Sequence, residues 1–209
     1  MTRLIAFDLD NTLLNTKKQV TPENMRVLEL AASLGMEIVP VTGRAWEGVP
    51  ESVRSMKFVN YAVTLNGAEI IDVKNAKTIS EALMPIERGI TLCRVIDELP
   101  VVYDCIADGM RFMTRECYGK IDMISEGEWQ ANVIRSSVKP VDDVIAVLAE
   151  CKGIQKMQIY TKDSELREAL LNAFPVVFPK ALFTSSVSNN IEINDPRANK
   201  GDSLKFIAE

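Results

Sequence analysis

An apolar run that ends in two like charges constrains this chain more than any other feature. In LIAFDLDNTLLN, residues 4–15, Leu4 to Phe7 lead directly into Asp8 and Asp10, followed by Asn11 and Thr12. A short apolar run closing on small polar turn residues reads as a buried strand. Side chains alternate along an extended chain, so positions 8 and 10 point the same way while the strand persists. Two carboxylates a few ångströms apart destabilise each other's ionised form unless a cation or a shared proton intervenes. Something therefore has to sit between them.

Few residue types are available to supply it or to act beside it. The 209 residues include no histidine, which removes Ser-His-Asp and Cys-His catalysis and any imidazole base. Chemistry falls to carboxylates, Lys, Arg, hydroxyls or a hard metal ion. Cys93, Cys105, Cys117 and Cys151 show no CxxC or Cys/His spacing, so they read as reduced, mostly core thiols and not as a zinc site. A net charge of −5 with sparse aromatics gives no basic footprint, which argues against a nucleic-acid partner. No apolar run approaches the roughly 18 residues of a membrane span, and the early acids do not suit a signal peptide. The expectation is a cytoplasmic protein with no membrane partner, long enough for one good domain and a smaller insert.

The N-terminal part has the rhythm of an α/β fold. TPENMRVLELAASLG predicts a helix with Thr21 as N-cap, Pro22 at its first position and Gly35 as its stop. Val27, Ala31 and Leu34 recur at helical spacing there, with Leu28 beside them. MEIVPVTGR reads as a second strand and YAVTLNGAEII as a third. Strand, helix, strand with nearly continuous apolar strands predicts a parallel, doubly wound sheet covered on both faces. Ligands bind such sheets outside the carboxyl ends of the strands, a rim that takes in Asp8, Asp10, Thr42 and Asn66. From about residue 83 the pattern changes to helices and antiparallel strands: PIERGITLCRVIDEL as helix, a hairpin turning at Ala107-Asp108-Gly109, VDDVIAVLAECKG and DSELREALLNAF as helices, IQKMQIYT as strand, and two strands around Asn189-Asn190. The predicted division is a core of residues 1–82 and 187–209 and an inserted α+β unit of residues 83–186.

An aspartate at a strand end can attack phosphorus through a carboxylate oxygen, giving an acyl phosphate that water then hydrolyses. A second carboxylate two positions on can protonate the leaving oxygen and later deprotonate water. Mg²⁺ bound by Asp8 and a backbone carbonyl would relieve the repulsion and neutralise phosphate charge. Asn11 suits a tight turn because Asn tolerates positive φ. Thr42 offers a hydroxyl and neighbouring N–H groups to a phosphoryl oxygen, and Arg44 a fork-shaped cation. Lys200, at the apparent start of a helix in NKGDSL, can neutralise Asp8. Taken alone, the aspartate pair serves equally as an Asx-turn, and each of Thr42, Arg44 and Lys200 as a turn or surface residue. Their order and positions together are specific.

DLDNTLL, VTGR, LNGAEI and IEINDPRANKGDSL resemble the successive motifs of the haloacid dehalogenase superfamily, specifically Cof-type phosphatases with a C2 cap, over nearly the whole chain. The resemblance implies a Rossmannoid core with the inserted unit as its cap. It implies Asp8 as nucleophile forming an aspartyl-phosphate, Asp10 as general acid and base, Thr42 as phosphate ligand and Lys200 as the charge-stabilising lysine. Asn11, Gly43, Arg44, Asn66 and Gly67 are the implied phosphate- and substrate-binding residues, Mg²⁺ at Asp8 and Asp10 the implied cofactor, and a small phosphorylated metabolite such as a sugar phosphate or phosphorylated cofactor the implied substrate. Tyr103, Arg111, Arg115 and Tyr118 are cap candidates for specificity.

In the family pattern a helix and a strand follow the lysine and lead to an acidic GDxxND-like motif that completes the magnesium site. No such motif occurs before Glu209. The expectation is a C-terminally truncated core, an incomplete sheet, weak or absent Mg²⁺ and impaired turnover. A catalytically inactive fragment or phosphate-binding protein is the alternative, and a phosphoryl-transferring mutase a third reading. The family places LIAFDLD centrally in its sheet. Here it is expected to present an open edge, a template for self-association.

Overall fold

The structure, a computed structural model, describes residues 4–125 and 127–209. It separates into two units, one running to Ala82 and resuming at Arg197–Glu209, the other spanning Leu83–Pro196.

In the first unit β1 (Leu4–Phe7) runs parallel to β2 (Glu37–Pro40), Leu4 opposite Glu37 and Phe7 opposite Pro40. The parallel order continues into β3 (Tyr61–Thr64) through a Val41–Val63 bridge, with the Thr42 amide donating to the Val63 carbonyl at 2.8 Å. α1 (Pro22–Ser33) connects β1 to β2 as parallel geometry demands. Thr21 caps it by accepting from the Asn24 amide, Pro22 stands in its first turn, and Gly35 leaves it at φ 78°. Its inward stripe differs from the expected one. Leu28 and Ala31 are buried, with Met25 and Ala32 against the same core, while Val27 and Leu34 are 53% and 65% exposed. Positions 25, 28 and 32 keep the helical period that Val27 and Leu34 also satisfy one residue out of phase, so spacing alone did not fix the face.

The third predicted strand is two. After β3 a single 3₁₀ turn, Leu65–Gly67, reverses the chain into β4 (Glu69–Asp72), which pairs antiparallel with β3 and then with β5 (Lys77–Glu81). Leu65 and Asn66 at φ 51° and 65°, followed by Gly67 at 104°, make the reversal. A short helix, α2 (Glu51–Arg54), precedes β3. One face of the sheet packs Ile38 with Leu9, Leu13, Leu28 and Val53; the other packs Val39, Val41 and Val63 against Leu204 and Ile207 of the helix Lys200–Ala208. Among the described strands β1 pairs only with β2, so its other edge is open.

The inserted unit is built on α3 (Ile86–Ile96), β6 (Val102–Ala107), β7 (Met110–Thr114), α4 (Arg115–Gly119), α5 (Ile121–Ile124), α6 (Glu128–Ser137), β8 (Val138–Val141), α7 (Val144–Ala149), β9 (Ile154–Tyr160), α8 (Ser164–Val177), β10 (Leu182–Thr184) and β11 (Asn190–Asn194). Its strands form one sheet in the order β10-β11-β9-β6-β7-β8, antiparallel except for β7 with β8. The hairpin turns at Asp108 and Gly109, φ 47° and 73°, as the dipeptide predicts. The return to the core expected at residue 187 lies instead at Arg197, because β11 hydrogen-bonds to β9, Ile191 opposite Ile159, and belongs to the inserted sheet. The final helix, α9 (Lys200–Ala208), is back in the first unit.

Candidate functional site

β1 ends at Phe7, and the backbone then winds tightly: the Leu13 amide donates to the Asp8 carbonyl at 3.3 Å and the Leu14 amide to the Leu9 carbonyl at 2.9 Å. Asn11 occupies the exposed left-handed corner at φ 59°. Leu9, Leu13 and Leu14 are buried, so the alternation in DLDNTLL sends leucines inward and leaves both aspartates facing the rim.

Lys200, the first residue of α9, donates to Asp8 Oδ1 at 2.8 Å although 192 positions separate them. Two contacts fix that helix start. Asn199 caps it by accepting from the Asp202 amide at 2.8 Å, and Ser203 Oγ lies 3.4 Å from the Gly67 carbonyl oxygen. A Cβ on Gly67 would meet the Asn199 oxygen at 2.6 Å and Ser203 Oγ at 2.7 Å, a contact that only glycine allows. The structure thus gives Gly67 a packing task at the base of Lys200. Asn66 donates its amide to the Thr42 carbonyl at 3.1 Å, tying the turn after β3 to the end of β2.

Thr42 is 2% exposed, and its Oγ1 accepts from the Arg44 amide at 3.2 Å, which bends the chain through Gly43 and aims Arg44 back along the rim. The guanidinium then grips Asp10 with both arms, Nε to Oδ2 and Nη2 to Oδ1 at 2.7 Å each, while Nη1 donates to the Gly48 carbonyl at 2.8 Å. Sequence reasoning missed Lys18, whose Nζ lies 2.7 Å from Asp10 Oδ1. It arrives on a turn in which Asn15 Oδ1 accepts from the Lys17 and Gln19 amides, with Lys18 at φ 58°. The Asn15 in LLNTKKQ was the available signal for that turn.

Hydrogen bonding from Arg44, and secondarily from Lys18, outweighs partial burial and lowers the Asp10 pKa to about 2; the Arg44 pKa is raised chiefly by the same bond. At neutral pH Asp10 is an ionised acceptor.

The implied magnesium ion finds a poor donor set here. Mg²⁺ takes about six oxygens in near-octahedral array, whereas the Asp10 carboxylate already accepts three N–H bonds and Asp8 Oδ1 a fourth. Among the described residues no group of three or more His, Cys, Asp or Glu stands together to hold a metal. Of the cap candidates, Arg111 is committed to Asp104 at 2.6 Å and the Tyr160 hydroxyl at 2.7 Å, Tyr103 donates to Asp97, and Arg115 pairs with Asp142 at the exposed surface. Among the described residues no helix is long and apolar enough to cross a membrane.

Known proteins resemble this chain in sequence and fold. The chain is 34% identical over 98 residues to the pyridoxal phosphate phosphatase of Escherichia coli (strain K12), covering 46% of this chain and 36% of the relative. It is 37% identical over 70 residues to the 5-amino-6-(5-phospho-D-ribitylamino)uracil phosphatase of Bacillus subtilis (strain 168), covering 34% and 28%. These matches thus span about a third of each curated relative's length. A solved haloacid dehalogenase-like hydrolase from B. subtilis shares the fold, with a TM-score of 0.83 at 23% identity over 99% of this chain and 78% of that one. The profile of the haloacid dehalogenase-like hydrolases matches residues 5–209, and this chain belongs to that family.

Proposed function

We propose that the chain acts on a small phosphate monoester through a covalent aspartyl-phosphate on Asp8. The observation that carries the reading is the Lys200–Asp8 contact at 2.8 Å: a carboxylate exposed at a strand end beside a lysine from the far end of the chain can attack an anion that it would otherwise repel. In the first step an Asp8 oxygen bonds to phosphorus and the ester P–O bond breaks, its oxygen leaving with a proton. In the second, water bonds to phosphorus, gives up a proton, and the Asp8–phosphorus bond breaks to release phosphate. The Thr42 hydroxyl donates to a phosphoryl oxygen, and Lys200 neutralises the charge that grows on the phosphoryl group.

Asp10 is the acid and base of these steps, and Arg44 governs when. A phosphate dianion offers a guanidinium the same bidentate geometry as a carboxylate with twice the charge, so an arriving substrate draws Arg44 off Asp10 and frees it to carry a proton. The names of the two curated relatives, both phosphatases of small phosphate monoesters, support the same substrate class. Binding without turnover is the second reading, favoured by the ionised, cation-held state of Asp10. Hydrolysis of an aryl phosphate by the chain and by Asp8→Asn tests the two. Turnover that falls at least about a thousandfold in the variant supports the covalent route; equal rates overturn it, and no turnover in either leaves the binding reading in place.

A further inference from the structure

We infer that Lys18, Arg44 and Lys200 perform in this chain the charge neutralisation that the family resemblance assigns to a divalent cation, so that a phosphate dianion binds with no divalent cation present. The inference rests on the phosphate reading of the site and goes beyond it.

Three cations face two carboxylates at the end of one strand, Lys200 on Asp8 and Lys18 and Arg44 on Asp10. The formal sum is +3 − 2 = +1. Asp8 as well as Asp10 acts electrostatically on Arg44, so the two carboxylates and the guanidinium sense one another. A dication entering would add to a charge already positive and would have to displace a guanidinium anchored at Nη1 by the Gly48 carbonyl as well as at Asp10. A phosphate dianion meets the opposite situation. The set attracts it, its oxygens suit the Arg44 fork, and Lys200, with one bond to Asp8, can turn its other N–H donors toward it. Lys18 then keeps Asp10 countered when Arg44 turns to the ligand. It has that role because the left-handed turn at φ 58° delivers its ammonium to the oxygen that Arg44 Nη2 also contacts.

Calorimetric titration of the 209-residue chain with inorganic phosphate, once in EDTA and once in excess Mg²⁺, tests this. Expected dissociation constants agree within a factor of about three, a difference under 1 kcal/mol, and the EDTA value weakens as salt rises. Lys18→Asn removes the ammonium while tolerating positive φ; with an unchanged thermal melt it should weaken phosphate binding in EDTA by more than that factor. Binding tighter by more than about threefold in Mg²⁺ overturns the inference and leaves the phosphate reading intact. An undiminished Lys18→Asn overturns the part given to Lys18, and no binding in either buffer defeats the phosphate reading itself.

Discussion

In the inserted unit the ion pair of Lys156 and Glu192 is 3% and 7% exposed, whereas at the end of β1 the pair of Lys200 and Asp8 leaves 44% and 38% of its side chains in solvent. In the buried pair Glu192 Oε1 takes both Lys156 Nζ at 2.7 Å and Ser186 Oγ at 2.9 Å. Beside it Arg111 holds Asp104 and the Tyr160 hydroxyl through Nη2 and reaches Ser137 Oγ at 2.9 Å, while its buried Nε has no hydrogen-bond partner. Burial lowers the Lys156 pKa despite its carboxylate partner and raises that of Tyr160. The same residue types thus serve two ends. Charges enclosed in the inserted sheet cannot exchange partners without stranding an ion, and so specify the packing. Those at the rim of the first unit stay in contact with solvent and can exchange a partner at small cost.

The largest expected effect breaks the buried pair. Lys156→Met leaves Glu192 as a buried charge without its cation and should cost about 3–5 kcal/mol, much of the stability of an ordinary domain. Replacing both partners by apolar residues, Lys156→Met with Glu192→Leu, should recover most of that, since desolvating the pair is itself unfavourable. Lys200→Met, at the solvent-facing pair, should change stability by less than about 1 kcal/mol. Urea unfolding of the three variants measures the contrast. A Lys200→Met loss as large as that of Lys156→Met would erase the distinction between the units.

Gly67→Ala probes the backbone that supports the exposed pair. At φ 104° with a Cβ 2.6 Å from the Asn199 oxygen, alanine strains the turn and pushes on the start of α9, for an expected cost of about 1–3 kcal/mol. Because Lys200 follows Asn199 directly, turnover should fall with stability, unlike in Lys156→Met refolded under native conditions. Thermal melts and an aryl phosphate assay on the same preparation separate the two effects.

Much of this arrangement was legible in the sequence. The apolar run into Asp8 and Asp10, Thr21-Pro22 before α1 and Asp108-Gly109 between β6 and β7 are local signals, each set by the chemistry of one or two residues. What was missed depends on distant partners. The face of α1 was ambiguous because Val27 and Leu34 keep the same period as Leu28. β11 reads as a strand, but which sheet it joins is decided by its pairing with β9, a tertiary choice that displaced the unit boundary from 187 to 197. α4 and α5 are too short, at 5 and 4 residues, for a period to show. Lys18 was invisible because its contact with Asp10 depends on a left-handed turn that returns it there, whereas Arg44 stood in a recognisable VTGR.

The smallest expected effect concerns acid, and sharpens the comparison from the side of Asp10. Its folded pKa of about 2 lies below the ordinary 3.8 because Arg44 and Lys18 bind its ionised form. Between those values the unfolded chain holds more protons than the folded one, so stability rises with pH across that window and is lost as pH falls from about 4 toward 2. Half-exposed and screened by solvent, the group contributes about 1 kcal/mol above the window, less than its shift alone would suggest. Asp10→Asn should therefore be less stable than the parent by about that amount near neutrality, with the gap closing as the parent is acidified and narrowing as salt is added. The Lys156–Glu192 pair, shielded from ions, should show little of that salt dependence. Chemical denaturation at several pH values and two ionic strengths checks both halves. An Asp10 contribution insensitive to salt would mean that its carboxylate, like Glu192, is held for structure and not kept available to a ligand.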